Sequence, residues 1–93
     1  MLDRVRALAP AIREIVERHG ASNPRVFGSV ARGEEREGSD VDLLVDNVRL
    51  SLFKLVHMED DLAALLGVPV DVVVDDSVPP RARPRVLGEA VSL

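Results

Sequence analysis

The sequence predicts a small α/β domain, a three-stranded mixed sheet covered by helices, and three observations lead to that class. Apolar residues recur three or four apart over 2–19 and again over 50–66, the spacing that gathers them on one face of a helix. Three short runs rich in β-branched residues, 25–27, 40–46 and 68–75, read as strands. The link between the second and third runs has the length of a helical crossover, which favours parallel neighbours joined right-handedly, and the first strand is expected antiparallel to the second. With 93 residues, one domain spanning 1–93 is expected, able to bury roughly 60 to 65 per cent of its unfolded surface.

The elements follow in order. Leu2, Val5, Leu8, Ile12, Ile15 and Val16 form the apolar stripe of the first helical segment, and Gly20 is placed to end it. Pro10 lies inside that stripe, where its ring would clash with the carbonyl four residues back. A kink is therefore expected, or a short first helix followed by a main one from Pro10. Ser22-Asn-Pro reads as a turn leading into the buried strand Arg25-Val-Phe27. Val30 to Gly33 is expected to form one helical turn, and 34–38 a charged loop ending in glycine. In the second strand Val41, Leu43 and Val45 leave from one face and Asp40 and Asp42 from the other.

The second long helix carries Leu52, Leu55, Val56, Met58, Leu62, Leu65 and Leu66 on its stripe, with Ser51 or Asn47 as cap and Gly67 as stop. Its acidic turn Glu59-Asp60-Asp61 and the helix-end His19 read as solvated. Val68 to Asp75 is the third strand. The proline-broken stretch 77–85 reads as a solvated basic connector carrying Arg81, Arg83 and Arg85, and 86–91 closes the chain as a short helix.

Chemistry concentrates between Phe27 and Val45. Gly28-Ser29 ends an apolar run and opens a helical turn, where backbone N–H groups and the Ser29 hydroxyl are suited to phosphate oxygens and Gly28 allows close approach. Asp40 and Asp42 follow across one short loop, on one face of a strand. Parallel pairing of the second and third strands brings Asp71 to the same sheet edge, whereas Asp46 and Asp75 fall too far along to share a cation. Two carboxylates about 4 Å apart repel by roughly 4 kcal/mol at an effective dielectric near 20, before water and salt relieve it. Such a trio calls for a cation or a raised pKa. A phosphate cradle facing paired carboxylates suits phosphoryl or nucleotidyl transfer, in which Mg²⁺ bridges the protein and the substrate's phosphates. Arg32 is placed either to offset charge in that site or to lie on the surface with its stem on the sheet.

The wording Phe-Gly-Ser-Val-Ala-Arg-Gly, then Ser-Asp-Val-Asp-Leu-Leu-Val, resembles the Gly-Ser, spacer, Asp-x-Asp motif of the DNA polymerase beta-like nucleotidyltransferases, and most closely their minimal nucleotidyltransferase branch. The resemblance implies the small nucleotidyltransferase fold and transfer of AMP from ATP to an acceptor hydroxyl with release of pyrophosphate. By the same resemblance Gly28 and Ser29 contact the triphosphate, Asp40 and Asp42 hold Mg²⁺, and Asp71, the acidic residue opening a hydrophobic strand, holds a second cation or deprotonates the acceptor. It also implies an antitoxin whose partner is a helical HEPN ribonuclease toxin, modified on a tyrosine in a hetero-oligomer. Two other readings stay open: a non-catalytic module that inhibits a partner by binding, and a small-molecule adenylyltransferase of the aminoglycoside type.

Composition narrows the alternatives. A net charge of −4 disfavours an extended nucleic-acid surface, and Phe27 and Phe53, the two aromatic residues, supply no row of rings for stacking bases. The absence of cysteine leaves no role for disulfides. No stretch has the length and apolarity of a membrane span and the first residues do not form a signal peptide, so a soluble cytoplasmic protein is expected.

Overall fold

The computed structural model describes residues 1–93. Helix α1 (Leu2–Ala7) breaks at Leu8 and α2 (Ala9–Arg18) starts with Pro10 in its first turn. Of the two outcomes open at Pro10, the chain takes the restart, because a proline at the start of a helix sacrifices no internal hydrogen bond. Strand β1 (Ala21–Phe27) leads directly into α3 (Gly28–Arg32). Then come β2 (Val41–Asn47), α4 (Leu52–Leu66), β3 (Val70–Val74), a 3-10 turn at Asp75–Ser77, α5 (Arg83–Glu89) and β4 (Val91–Ser92).

The sheet order is β3-β2-β1-β4, with β2 and β3 parallel and β1 antiparallel to both of its neighbours. The crossover through α4 thus joins parallel neighbours. The sheet has four strands rather than three, because the closing helix stops at Glu89 and Val91 pairs with Val26 on the open edge of β1. Covering that edge satisfies backbone groups that would otherwise be left to solvent. Pro84, expected to break the connector, instead stands in the first turn of α5.

Ser22-Asn-Pro does not separate a turn from a strand. The pairing of Ser22 with Asp46 and of Arg25 with Leu44 leaves Asn23 and Pro24 opposite one β2 residue, a bulge at which Asn23 adopts φ 52°. The local preference of Asn-Pro is kept while the strand continues around it. The Asp46 carboxylate closes the bulge, accepting from Asn23 Nδ2 at 3.1 Å and from an Arg25 guanidinium N–H at 2.9 Å.

One face of the sheet carries Val26, Val41, Leu43, Val45, Val70 and Val72 into a core shared with Ile12 and Val16 of α2 and Met58, Leu62 and Leu66 of α4. The stripe of α4 is narrower than its sequence predicts. Met58, Leu62 and Leu66 are fully buried, but Leu52 is 78% and Val56 49% exposed, and Phe53, 75% exposed, lies on the outer face against His57 with ring centroids 4.5 Å apart. Val56 stands roughly 120° round the helix from the buried line, beyond what one packed face covers. The acidic turn is also less free than expected: Glu59 accepts the Val72 N–H at 2.8 Å, and Asp61 meets Arg18 at 3.4 Å and His19 Nε2 at 3.2 Å. Of the two caps open in the sequence the helix takes Ser51, whose hydroxyl accepts from Lys54 N–H, while Asn47 Oδ1 accepts from Leu50 N–H in the turn ahead of the helix.

Candidate functional site

The second sheet face carries the chemistry, and strand register decides who meets whom. Phe27, Asp42 and Asp71 form one row across β1, β2 and β3, with Asp42 opposite both of the others. Neighbouring strands lie about 4.8 Å apart, so the Asp42 and Asp71 side chains rise side by side. Asp40 lies one residue before β2 on the same parity and is exposed.

Gly28 sits where β1 turns into α3, at φ +72°. A Cβ there would collide with Asp42 Oδ2, so the Asp42 carboxylate occupies the space that any other residue would fill. What approaches Gly28 closely is therefore a carboxylate of the chain itself, lying beside the turn. The backbone of the turn is held too: Gly33, at φ +71°, ends α3, and the Ser29 carbonyl accepts from Glu34 N–H at 2.8 Å.

The field at Asp42 follows from this placement. Burial pushes its carboxyl above the ordinary value, the negative charges of Asp71 and then Asp40 push it further, and Arg32 pulls it back. The three carboxylates share one sheet edge without closing into a three-ligand cation cage. Mg²⁺ does not require one, since it binds through one or two carboxylates and completes its shell with water and phosphate oxygens. A half-buried carboxylate held against two like charges is a donor set suited to a hard dication.

Spacing along the chain did not reveal one of the two most engaged side chains near the turn. Glu89, at the end of α5, accepts the Gly28 N–H on Oε1 at 3.0 Å and an Arg32 guanidinium N–H on Oε2 at 3.0 Å. Arg32 stays exposed on the surface and also donates from Nε to Glu34 at 3.0 Å, so it carries two carboxylate partners. Burial works to raise the Glu89 carboxyl, but Arg32 and the Gly28 N–H outweigh it and hold the group below the usual carboxylate range. The Gly28 N–H is thus directed at Glu89. Asp75 stays outside the site, bonded to Arg83 at 2.9 Å, which converts one of the three connector arginines into a clamp on the end of β3.

Comparison with known proteins agrees with this geometry at the level of family. The sequence profile of the nucleotidyltransferase domain matches residues 9–93. The chain is 45% identical over 80 residues to protein adenylyltransferase MntA of Thermococcus cleftensis, covering 85% of this chain and 81% of that protein. A solved structure provisionally described as a minimal nucleotidyltransferase superposes with a TM-score of 0.87 at 46% identity, covering 99% of this chain and 95% of the other. The fold is shared more distantly with a rebuilt structure of a tri-AMPylated Shewanella oneidensis HEPN toxin in complex with its MNT antitoxin, at a TM-score of 0.71 and 18% identity over 99% of this chain and 71% of that one. On sequence and fold together, the chain belongs to the nucleotidyltransferase domain family, in its minimal, protein adenylyltransferase branch.

Proposed function

We propose that this protein is a Mg²⁺-dependent adenylyltransferase that moves AMP from ATP to an acceptor hydroxyl, a tyrosine of a cognate HEPN ribonuclease toxin, and thereby acts as that toxin's antitoxin in the cytoplasm. The reading rests above all on Asp42, half-buried against Gly28 and side by side with Asp71, where its charge is disfavoured until a cation arrives. The name of the Thermococcus relative supports AMP transfer to protein, and the Shewanella complex, with its AMP-bearing toxin, supports the kind of partner.

Asp40 and Asp42 would hold Mg²⁺, which when bound neutralises the triphosphate oxygens and eases departure of pyrophosphate. Ser29 and the turn opened by Gly28 orient the departing phosphates. Asp71 either holds a second cation or accepts the proton of the attacking hydroxyl. The acceptor comes from the partner, so the complete site belongs to a hetero-oligomer of toxin and antitoxin.

The test is incubation with α-labelled ATP and Mg²⁺, with and without the protein encoded by the neighbouring reading frame. Label is expected on a tyrosine of that protein, and only when Mg²⁺ is present. Inhibition of the neighbour without any label would instead identify a binding module, and labelling of an aminoglycoside without a protein acceptor would identify a small-molecule transferase.

A further inference from the structure

Glu89 lies 61 residues from Gly28 in sequence yet binds its backbone N–H. Three observations make this more than a surface ion pair. Both carboxylate oxygens are used on different groups, one on Gly28 N–H and one on the Arg32 guanidinium, each at 3.0 Å. Its side chain is 16% exposed and the bond to the Gly28 N–H is partly buried, whereas the Arg32 side of the pair, 42% exposed, stays open to water. Glu89 is also anchored on both sides in sequence, by buried Val86 in α5 and by Val91, which pairs with Val26 in the strand that leads into Gly28.

We infer that Glu89 is a positioning residue for the transfer: seated between the Gly28 N–H and Arg32, it holds the turn carrying Ser29 in register with the Asp42 carboxylate and fixes Arg32 beside it. The inference rests on the proposed function. The two anchors fix the backbone from which Glu89 extends, and its two bonds of 3.0 Å oppose rotation of the side chain, so the arrangement favours a brace over a carboxylate that swings away to admit phosphate. On its other side Gly28 is packed against Asp42, since a methyl group at its Cα would collide with that carboxylate. The brace and the carboxylate therefore hold the turn from two directions. Its position is set by the last ten residues of the chain as much as by the motif.

The test is steady-state AMP transfer by the full chain, as wild type, Glu89→Gln and Glu89→Ala, to the acceptor that the wild type labels. Glu89→Gln keeps a carbonyl oxygen for the Gly28 N–H and loses the charge that pairs with Arg32, so it serves where Glu89→Ala folds poorly. For folded Glu89→Ala, kcat is expected to fall roughly tenfold while KM for Mg²⁺·ATP changes much less, with Glu89→Gln intermediate, because misplaced groups cost rate more than ground-state binding. A purely structural role would lower the melting temperature and leave kcat per folded molecule unchanged, and that result overturns the inference. So does tighter binding of Mg²⁺·ATP by Glu89→Ala, which would make Glu89 a competitor of phosphate. A wild type that neither binds nucleotide nor labels any protein removes the proposed function and this inference with it, whereas an active wild type matched by both variants removes the inference alone.

Discussion

At the scale of single residues, Asp42 and Gly28 depend on one another. The carboxylate lies where a Cβ would be, and the glycine is held at a positive φ that other L residues avoid at a cost of about 1–2 kcal/mol. Gly28→Ala should therefore lower unfolding free energy by about that amount in a denaturant titration and reduce transfer far more, because the new methyl group displaces the Asp42 carboxylate. Asp42→Asn should abolish transfer and leave the fold intact. Without Mg²⁺ it should also raise the midpoint of thermal unfolding at pH 7. The sign follows from linkage: the folded chain holds the Asp42 proton at higher pH than the unfolded chain does, so the ionised group costs stability above its folded pKa. That cost fades as pH falls through the folded value toward the ordinary one near 3.8. The advantage of Asp42→Asn should therefore shrink as the pH is lowered through that window, and a melting series across it checks the point. Asp40 and Asp42 were legible in the sequence because a spacing of two on a strand dictates a shared face. Glu89 was not, since nothing in Leu-Gly-Glu-Ala distinguishes it from a solvated helix end until Gly28 and Arg32 are brought to it.

At the scale of elements, side-chain bonds that complete the backbone explain where expectation and structure part. Strand β3 is a sheet edge, and Glu59 on α4 supplies the acceptor for the Val72 N–H. Glu59→Ala should leave that N–H without its partner and cost about 1–2 kcal/mol in chemical denaturation, with no loss of transfer per folded molecule because Asp71 keeps its pairing with Asp42. Helices α2 and α4 and strands β2 and β3 were readable because each repeats its periodicity over several residues, and the parallel pairing of β2 with β3 followed from the length of α4. Only the last three residues of β1 were readable, and α5 begins three residues before the stretch expected for it. Strand β4 was not readable, because two residues carry no period and their pairing depends on the open edge of β1. The Asn-Pro signal was real at the level of φ, yet a bulge in β1 absorbs it. Leu52 and Val56 looked like core because apolar spacing alone does not reveal how far round a helix the sheet reaches.

At the scale of the whole molecule, the two faces of one sheet divide the work. The face packed by α2 and α4 supplies the buried valines, leucines and methionine that hold the fold. The opposite face half-buries Asp42 with Asp71 and Asp40 close enough to push its carboxyl up further, and α3 and α5 close around the turn beside it. No helix is long and apolar enough to cross a membrane. The buried charge of Asp42 is a cost to the chain that cation and nucleotide together should relieve, because a ligand that binds only the folded state stabilises it by mass action. The central claim is that the Asp42 edge of the sheet takes up nucleotide through Mg²⁺. Calorimetric titration of ATP into the wild type and into Asp42→Asn, each with Mg²⁺ and with chelator, tests it most directly. Tight binding of ATP is expected only for the wild type with Mg²⁺, with a loss of at least tenfold in affinity in the other three arms. Equal ATP affinity in all four would contradict it.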